Sequence, residues 1–219
     1  MLELRNISAS YRRDYLILEQ ISLAVEKGRK TAILGRNGAG KSTLVKSIMG
    51  LMPYCEGDIL LRGDSIKNLQ VHQLLKKGIG YFHKGGQVFQ QMTVEENIRF
   101  AQFKKPGPGL SLELVREHFP ILKASRIQTM KAGDLSGGER TQLALAMVVI
   151  NKPDLLILDE PFAGVSPKNT ETILKFLKSI ESDWNYTLLL VEQNQYLARG
   201  LCDEVFVLRQ KQIFPFLTK

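Results

Sequence analysis

Long apolar runs are missing from this 219-residue chain. Its apolar runs, such as Leu155 to Leu158 and Leu188 to Val191, fall far short of the roughly 20 residues that a membrane-spanning helix needs. Nothing at the start resembles a secretory leader, because Glu3 and Arg5 interrupt any apolar stretch there. The expectation is therefore a cytoplasmic protein. Cysteine is scarce: Cys55 and Cys202 are the only two, they lack metal-ligand spacing, and they read as reduced thiols. There is no internal repeat and no low-complexity tract. Acidic residues are outnumbered, with 22 Asp and Glu against 30 Lys and Arg, for a formal net charge of +8. That balance permits contact with nucleotide, nucleic acid or an anionic membrane surface, and solubility alone accounts for it equally well.

What is present is ordinary globular composition, 44% apolar and 24% charged. The length suits one domain, or one domain carrying an inserted subdomain. The organising stretch is GRNGAGKST, Gly35 to Thr43, which matches the phosphate-binding pattern G-x-x-x-x-G-K-[ST] through Gly35, Gly40, Lys41 and Ser42. It follows the apolar run Thr31 to Leu34 and opens onto Leu44 to Met49, which has helical character. Arg36, Asn37, Gly38 and Ala39 complete a loop whose backbone N–H groups face an anion, aided by the helix N-terminus behind them. Lys41 is expected to reach the β- and γ-phosphates and the Ser42 hydroxyl to ligate Mg²⁺. A chance glycine-rich turn matches this pattern in about one per cent of chains of such length, before the strand and helix context is counted.

Taken in order, residues 2–25 read as two strands, Leu2 to Ser10 and Ile17 to Val25, around the polar turn Arg12-Arg13-Asp14. Tyr11 and Tyr15 flank that turn; either suits stacking on a flat base, or simple packing at a strand end. Gly57 to Leu61 reads as a strand, Val71 to Lys77 as a helix, and Ile79 to Phe82 as a strand. His83 to Gln91 is polar, glycine-bearing and aperiodic, and reads as an exposed loop. Thr93 and Glu96 form a capping box that starts a helix to about Phe103, stopped by Lys104 to Gly109, and another helix is expected over Ser111 to Phe119. These helices suggest an inserted helical subdomain.

Leu135-Ser136-Gly137-Gly138-Glu139 follows. Ser136 and Glu139 make a second capping box, heading an apolar helix from about Gly138 to Ile150. Capping accounts for the serine and the glutamate, but not for two glycines in a first turn, where each costs up to ~1 kcal/mol relative to alanine. A second anion site on bare amides accounts for them better. Leu155 to Leu158 reads as a buried parallel strand ending in Asp159 and Glu160. Asp159 is placed to hold a Mg²⁺ shell and Glu160 to polarise an attacking water. Ser166-Pro167 caps a helix over 167–181; strand Thr187 to Val191, helix 194–201 and strand Val205 to Leu208 close the pattern, and Phe214-Pro215-Phe216 remains an apolar tail without an assigned purpose.

GRNGAGKST, LSGGE and LLILDE, in this order, resemble the ATP-binding subunits of ABC transporters over essentially the whole chain. The segments VFQQMTVEEN (88–97) and VEQN (191–194) are similar to branched-chain amino-acid uptake ATPases, and SGGER and DEPFAGVSP equally to lipopolysaccharide-export ATPases. The resemblance implies an α/β fold: a phosphate-loop NTPase core with a mostly parallel sheet, an N-terminal antiparallel β subdomain and an inserted helical subdomain. It implies a single ABC ATPase domain over 1–219, with the β subdomain and first half of the core in 1–92, the helical subdomain in 93–134 and the second half of the core in 135–219. It implies ATP and Mg²⁺ as cofactors, with Tyr11 stacked on adenine. It also implies a head-to-tail dimer, homo- or heterodimeric, in which Ser136, Gly137, Gly138 and Glu139 of one subunit meet the ATP of the other. The partners implied are a second ATPase subunit and transmembrane permease subunits, on the inner face of the cell membrane and without nucleic acid.

Two positions depart from the family pattern. A glutamine whose oxygen approaches Mg²⁺ falls on Lys84, and an ammonium cannot ligate a cation. Either Lys84 turns outward and Gln87 supplies the oxygen, or Lys84 itself reaches the γ-phosphate. The first is favoured, because Gly85 and Gly86 let the loop shift at small steric cost. A histidine that contacts the γ-phosphate falls on Gln193. An alternative function is therefore a nucleotide-gated dimer with weak hydrolysis, serving regulation or lipid or polysaccharide export. DNA-repair ATPases with the same signature are excluded by length, since the interval from Lys41 to Ser136 holds only a short insert.

Overall fold

The computed structural model describes residues 1–102, 115–117, 119, 122 and 129–216. Two sheets organise them. Strands β1 (Leu2–Ser10), β2 (Leu18–Val25), β4 (Tyr54–Leu61) and β5 (Asp64–Ser65) form an antiparallel sheet in the order β2-β1-β4-β5. Strands β3 (Lys30–Leu34), β6 (Ile79–Phe82), β7 (Leu155–Asp159), β8 (Thr187–Glu192), β9 (Glu204–Arg209) and β10 (Gln212–Pro215) form the second, in the order β10-β9-β3-β8-β7-β6. All its pairings are parallel except that of β10 with β9.

The central strands read as unbroken apolar runs because both faces are covered. Ala32, Leu34, Leu156, Leu158, Leu188 and Leu190 share one core with the helices α4 (Gly137–Val149) and α5 (Pro167–Asp183), through Leu143, Ile173, Phe176 and Leu177. Ile33, Leu155, Ile157, Leu189 and Val191 share the other with Leu44, Val45 and Ile48 of α1 (Lys41–Ile48) and with Leu2, Ile7 and Ile21 of the antiparallel sheet. The strand period of two thus sends alternate residues into separate cores. Each such fully buried side chain contributes about 1.5–3 kcal/mol of transfer free energy.

Parallel registry fixes where the chemistry gathers. Leu34 pairs with Glu192, Phe82 with Leu158 and Asp159 with Val191. The loops after β3, β6, β7 and β8 therefore leave from one edge of the sheet. That edge, outside the carboxyl ends of the strands, is where open α/β sheets hold ligands.

Several elements differ from the sequence expectation. Strand β4 begins at Tyr54 rather than Gly57, since Tyr54, Cys55 and Glu56 pair with Ser10, Ala9 and Ser8 beyond an irregularity in β1. The short strand β5 follows a tight turn and was invisible to periodicity. The apolar tail is an edge strand: Ile213 and Phe214 pair with Leu208 and Val207. Helix α2 spans Val71–Lys76, and α3 spans Val94–Ala101, two residues short of Phe103. Its capping box is formed, with the Glu96 N–H donating to Thr93 Oγ1 at 3.2 Å and the Thr93 N–H to Glu96 Oε2 at 2.7 Å. The expected stop over Lys104 to Gly109, and most of the helix expected over Ser111 to Phe119, lie outside the described residues, although 115–117 are helical. Helix α6 spans Gln195–Leu201. No helix among the described residues is long and apolar enough to cross a membrane.

Candidate functional site: a phosphate-loop cleft

Gly40 caps α1 with φ 103°, a left-handed conformation that side chains disfavour, and a Cβ there would press on Leu18. This turn aims the free amides of the first helical turn outward, into a cleft of about 540 Å³. Asn37, Gly38, Ala39, Gly40, Lys41, Ser42 and Thr43 line its floor. Tyr11 and Tyr15, both exposed, line it as well, together with Gln210 and Lys211 of the turn between β9 and β10. The Lys46 ammonium donates to Tyr11 Oη at 3.0 Å, and Lys211 lies 5.3 Å from the Tyr15 ring centre. The cleft wall thus combines phosphate-loop residues with two exposed aromatic rings.

Gly35 and Arg36 do not line the cleft. Their carbonyls accept from Lys41 Nζ at 2.8 and 3.1 Å and fold that side chain over the loop. The same ammonium lies 2.9 Å from Glu160 Oε1. The ammonium thus gives two hydrogen bonds to the loop while its charge faces the carboxylate. Ser42 Oγ donates to Asp159 Oδ1 at 3.3 Å, which brings two oxygens together at the sheet edge. Burial raises the Asp159 carboxyl above the usual range, against the lowering effect of the Ser42 hydrogen bond.

Glu160 follows β7 in a left-handed conformation, φ 47°, which turns its side chain back into the cleft. Its carboxylate, although buried, holds its pKa at about 2. Burial pushes the value up; hydrogen bonds from Lys84, Lys41 and Gln193 outweigh it. Gln193 Nε2 donates to Glu160 Oε1 at 3.0 Å and to Asn37 Oδ1 at 2.8 Å, so this residue joins the loop to the carboxylate.

Lys84 does not turn outward. It lines the cleft, and its ammonium lies 2.6 Å from Glu160 Oε2. Gln87 is elsewhere: it lines a separate groove with Tyr81, Phe89, Phe100 and Met147. The expectation that Gln87 replaces the missing oxygen has no support in its placement. The reason is electrostatic. An anionic pocket around Glu160 and Asp159 attracts the ammonium, whereas the groove is mainly apolar.

Ser136, Gly137, Gly138 and Glu139 do not line the cleft either. Their capping box is formed, with the Ser136 N–H donating to Glu139 Oε2 at 2.8 Å. A Cβ on Gly138 would collide with the Asn169 amide of α5, so close helix packing accounts for that glycine without a ligand. Gly137 has open space in front of it. Only the first of the two glycines still needs an explanation outside this chain's own packing. Sequence reasoning missed Leu16, Ile17, Gln210 and Lys211 in the cleft wall. No motif marks the last two; both have positive φ and come to the site only through the β9–β10 hairpin.

A strand-loop-helix anion cradle, an acidic strand end beside it and a two-sheet body define an ATP-binding cassette. The family model for ABC transporters matches residues 18–163. The "Probable branched-chain amino acid transport ATP-binding protein LivF" of Archaeoglobus fulgidus is 37% identical over 210 residues, covering 95% of this chain and 88% of the relative. The high-affinity branched-chain amino acid transport ATP-binding protein BraG of Pseudomonas aeruginosa is 34% identical over 215 residues, covering 97% and 91%. A crystal structure of a nucleotide-free ATP-binding cassette from an ABC transporter superposes with a TM-score of 0.80 at 28% identity, over 98% of this chain and 89% of that one. The chain belongs to the ABC transporter family, as an ATP-binding subunit with the ATPase site of that family.

Proposed function

We propose that this chain binds and hydrolyses ATP to drive a membrane permease, and that it does so as a head-to-tail dimer. The observation that carries the reading is the convergence of Lys41, Ser42, Asp159 and Glu160, from two distant segments, at one edge of the sheet. The triphosphate would lie on the amides of Asn37 to Thr43 with Lys41 on its β- and γ-phosphates, and the adenine against Tyr11. Mg²⁺ fits the paired oxygens of Ser42 and Asp159: it takes few protein ligands and completes its shell with phosphate and water. When bound, it would screen phosphate charge. Glu160 would accept a hydrogen bond from the attacking water and Gln193 would hold the carboxylate toward it.

Gly137, open and bare at a helix N-terminus outside the cleft, supports the dimer. With Ser136, Gly138 and Glu139 it would cover the other subunit's nucleotide. The division into 1–92, 93–134 and 135–219 belongs to the same reading. So does a cytoplasmic place against the membrane. The groove with exposed Phe89 and Phe100 suits the permease contact. Likeness to LivF and BraG favours uptake of branched-chain amino acids as the transport served. A steady-state ATPase assay on the purified subunit, with Glu160→Gln as control, tests the core of the reading; no turnover above that control removes it.

A second reading is a nucleotide-gated dimer with weak turnover. The Lys84–Glu160 contact favours it, because a carboxylate bound to an ammonium is less available to water. The same assay separates the two readings by rate.

A further inference from the structure

Two ammonium groups share one buried carboxylate in the cleft. Lys41 Nζ is 2.9 Å from Glu160 Oε1 and Lys84 Nζ is 2.6 Å from Glu160 Oε2. Their surroundings differ. The side chains of Lys41 and Glu160 are each 4% exposed, whereas that of Lys84 is 47% exposed. Two donors of Lys41 go to loop carbonyls and its charge is paired with Glu160, so an arriving phosphate oxygen competes with these partners for the ammonium. The carboxylate is the acceptor that phosphate repels. If Lys41 left without a substitute, Glu160 would keep only the neutral Gln193 amide, and an uncompensated buried charge is costly.

Lys84 is built to prevent this. It sits on a turn closed by the Gly86 N–H donating to the His83 carbonyl at 3.0 Å, directly after β6. Glu160 directly follows β7, and β6 and β7 pair in parallel up to Phe82 and Leu158. Both residues therefore lie within two positions of paired strand ends, and Lys41 and Lys84 meet different oxygens of Glu160.

We propose that Lys84 is a positioning residue for Glu160, which takes over the carboxylate when the nucleotide draws Lys41 onto its phosphates. Lys84 thereby lowers the free energy of releasing Lys41 and holds Glu160 in place through nucleotide binding. The proposal rests on the ATP reading above and adds a coupling within it. It assigns to Lys84 an acidic side-chain partner, in place of the metal or the phosphate.

The test is a thermodynamic cycle on equilibrium binding of a non-hydrolysable ATP analogue, AMP-PNP, with Mg²⁺ omitted. The four proteins are the wild type, Lys84→Gln, Glu160→Gln and the double variant. Lys84→Gln is expected to weaken binding about tenfold in the wild-type background, because one partner of a buried charge is lost. In the Glu160→Gln background the same change is expected to shift Kd by less than about twofold, since no buried charge is left to compensate. Lys84→Arg, which keeps a cation at the site, is expected to bind within about threefold of wild type. Equal weakening in both backgrounds would mean that Lys84 touches the phosphates directly, and would overturn the proposal. Unchanged binding in the wild-type background would overturn it too. Failure of AMP-PNP to bind any of the four would remove the nucleotide reading itself, and the proposal with it.

Discussion

Ser42 Oγ donates to Asp159 Oδ1 at 3.3 Å across 117 residues of sequence, joining the start of α1 to the end of β7. The contact exists because β3 and β7 flank β8, both parallel to it, and release their chains at the same edge. It fixes the two oxygens expected to share Mg²⁺. Ser42→Ala should leave the melting temperature within a few degrees, because the bond is long and half-buried. It should raise the Mg²⁺ concentration needed for half-maximal ATPase by about tenfold or more. A titration of rate against Mg²⁺ checks this, and an unchanged midpoint would contradict the assignment.

Lys41 occupies the floor of the cleft and binds Glu160 at the same time. Lys41→Ala should therefore do two things. Nucleotide affinity should fall by about 100-fold or more, the loss expected for a buried charge-assisted contact. The nucleotide-free protein should lose about 1–3 kcal/mol of stability, because half of the cationic shell around a buried carboxylate is gone. Denaturant melts and equilibrium binding read the two separately. Normal binding in a folded variant would remove the basis of the site.

Glu160→Gln should keep ATP binding, lower kcat by about 100-fold or more and stabilise an ATP-bound dimer. Single-turnover kinetics and light scattering give the readouts. A wild-type rate would mean that another group orients the water.

The two glycines of the signature stretch should behave differently. Gly138→Ala should destabilise the fold by about 1–3 kcal/mol, since its Cβ meets Asn169, which also accepts from Gln142 Nε2 at 3.1 Å. Adding Asn169→Ala should recover most of that loss. Gly137→Ala should fold normally and impair ATP-dependent dimerisation. If both substitutions destabilise the monomer alike, the separation of their roles fails.

Cys202 bears on pH. Burial pushes its thiol from an ordinary 9.0 to about 12, so at pH 8 almost none is thiolate. Iodoacetamide should label it at least about 100-fold more slowly in the native protein than in urea. The raised pKa also means that its contribution to stability is complete below about pH 9 and is lost as pH rises toward 12. Rapid native labelling at pH 8 would show that the site opens.

Local chemistry was legible in the residues themselves. The phosphate loop, both capping boxes, the acidic end of β7 and the apolar central strands each depend on neighbours a few positions apart, and each appears where its spacing places it. Pairings between distant segments were not legible, because no periodicity encodes them. Strand β10 read as a purposeless tail, since a four-residue edge strand is defined by its partner β9 and not by its own alternation. Gln210 and Lys211 reach the cleft because a hairpin carries them there. Gly138 could not be separated from Gly137 in the sequence, as only the closeness of α5 makes the second glycine a packing requirement. Lys84 is the sharpest case. Its sequence position raised the problem of a cation near a metal site, and the residues favoured an outward Lys84 with Gln87 in its place over a direct contact with phosphate. The sheet decided otherwise, because parallel pairing of β6 with β7 sets Lys84 beside Glu160, where a buried carboxylate is the strongest nearby attraction for an ammonium.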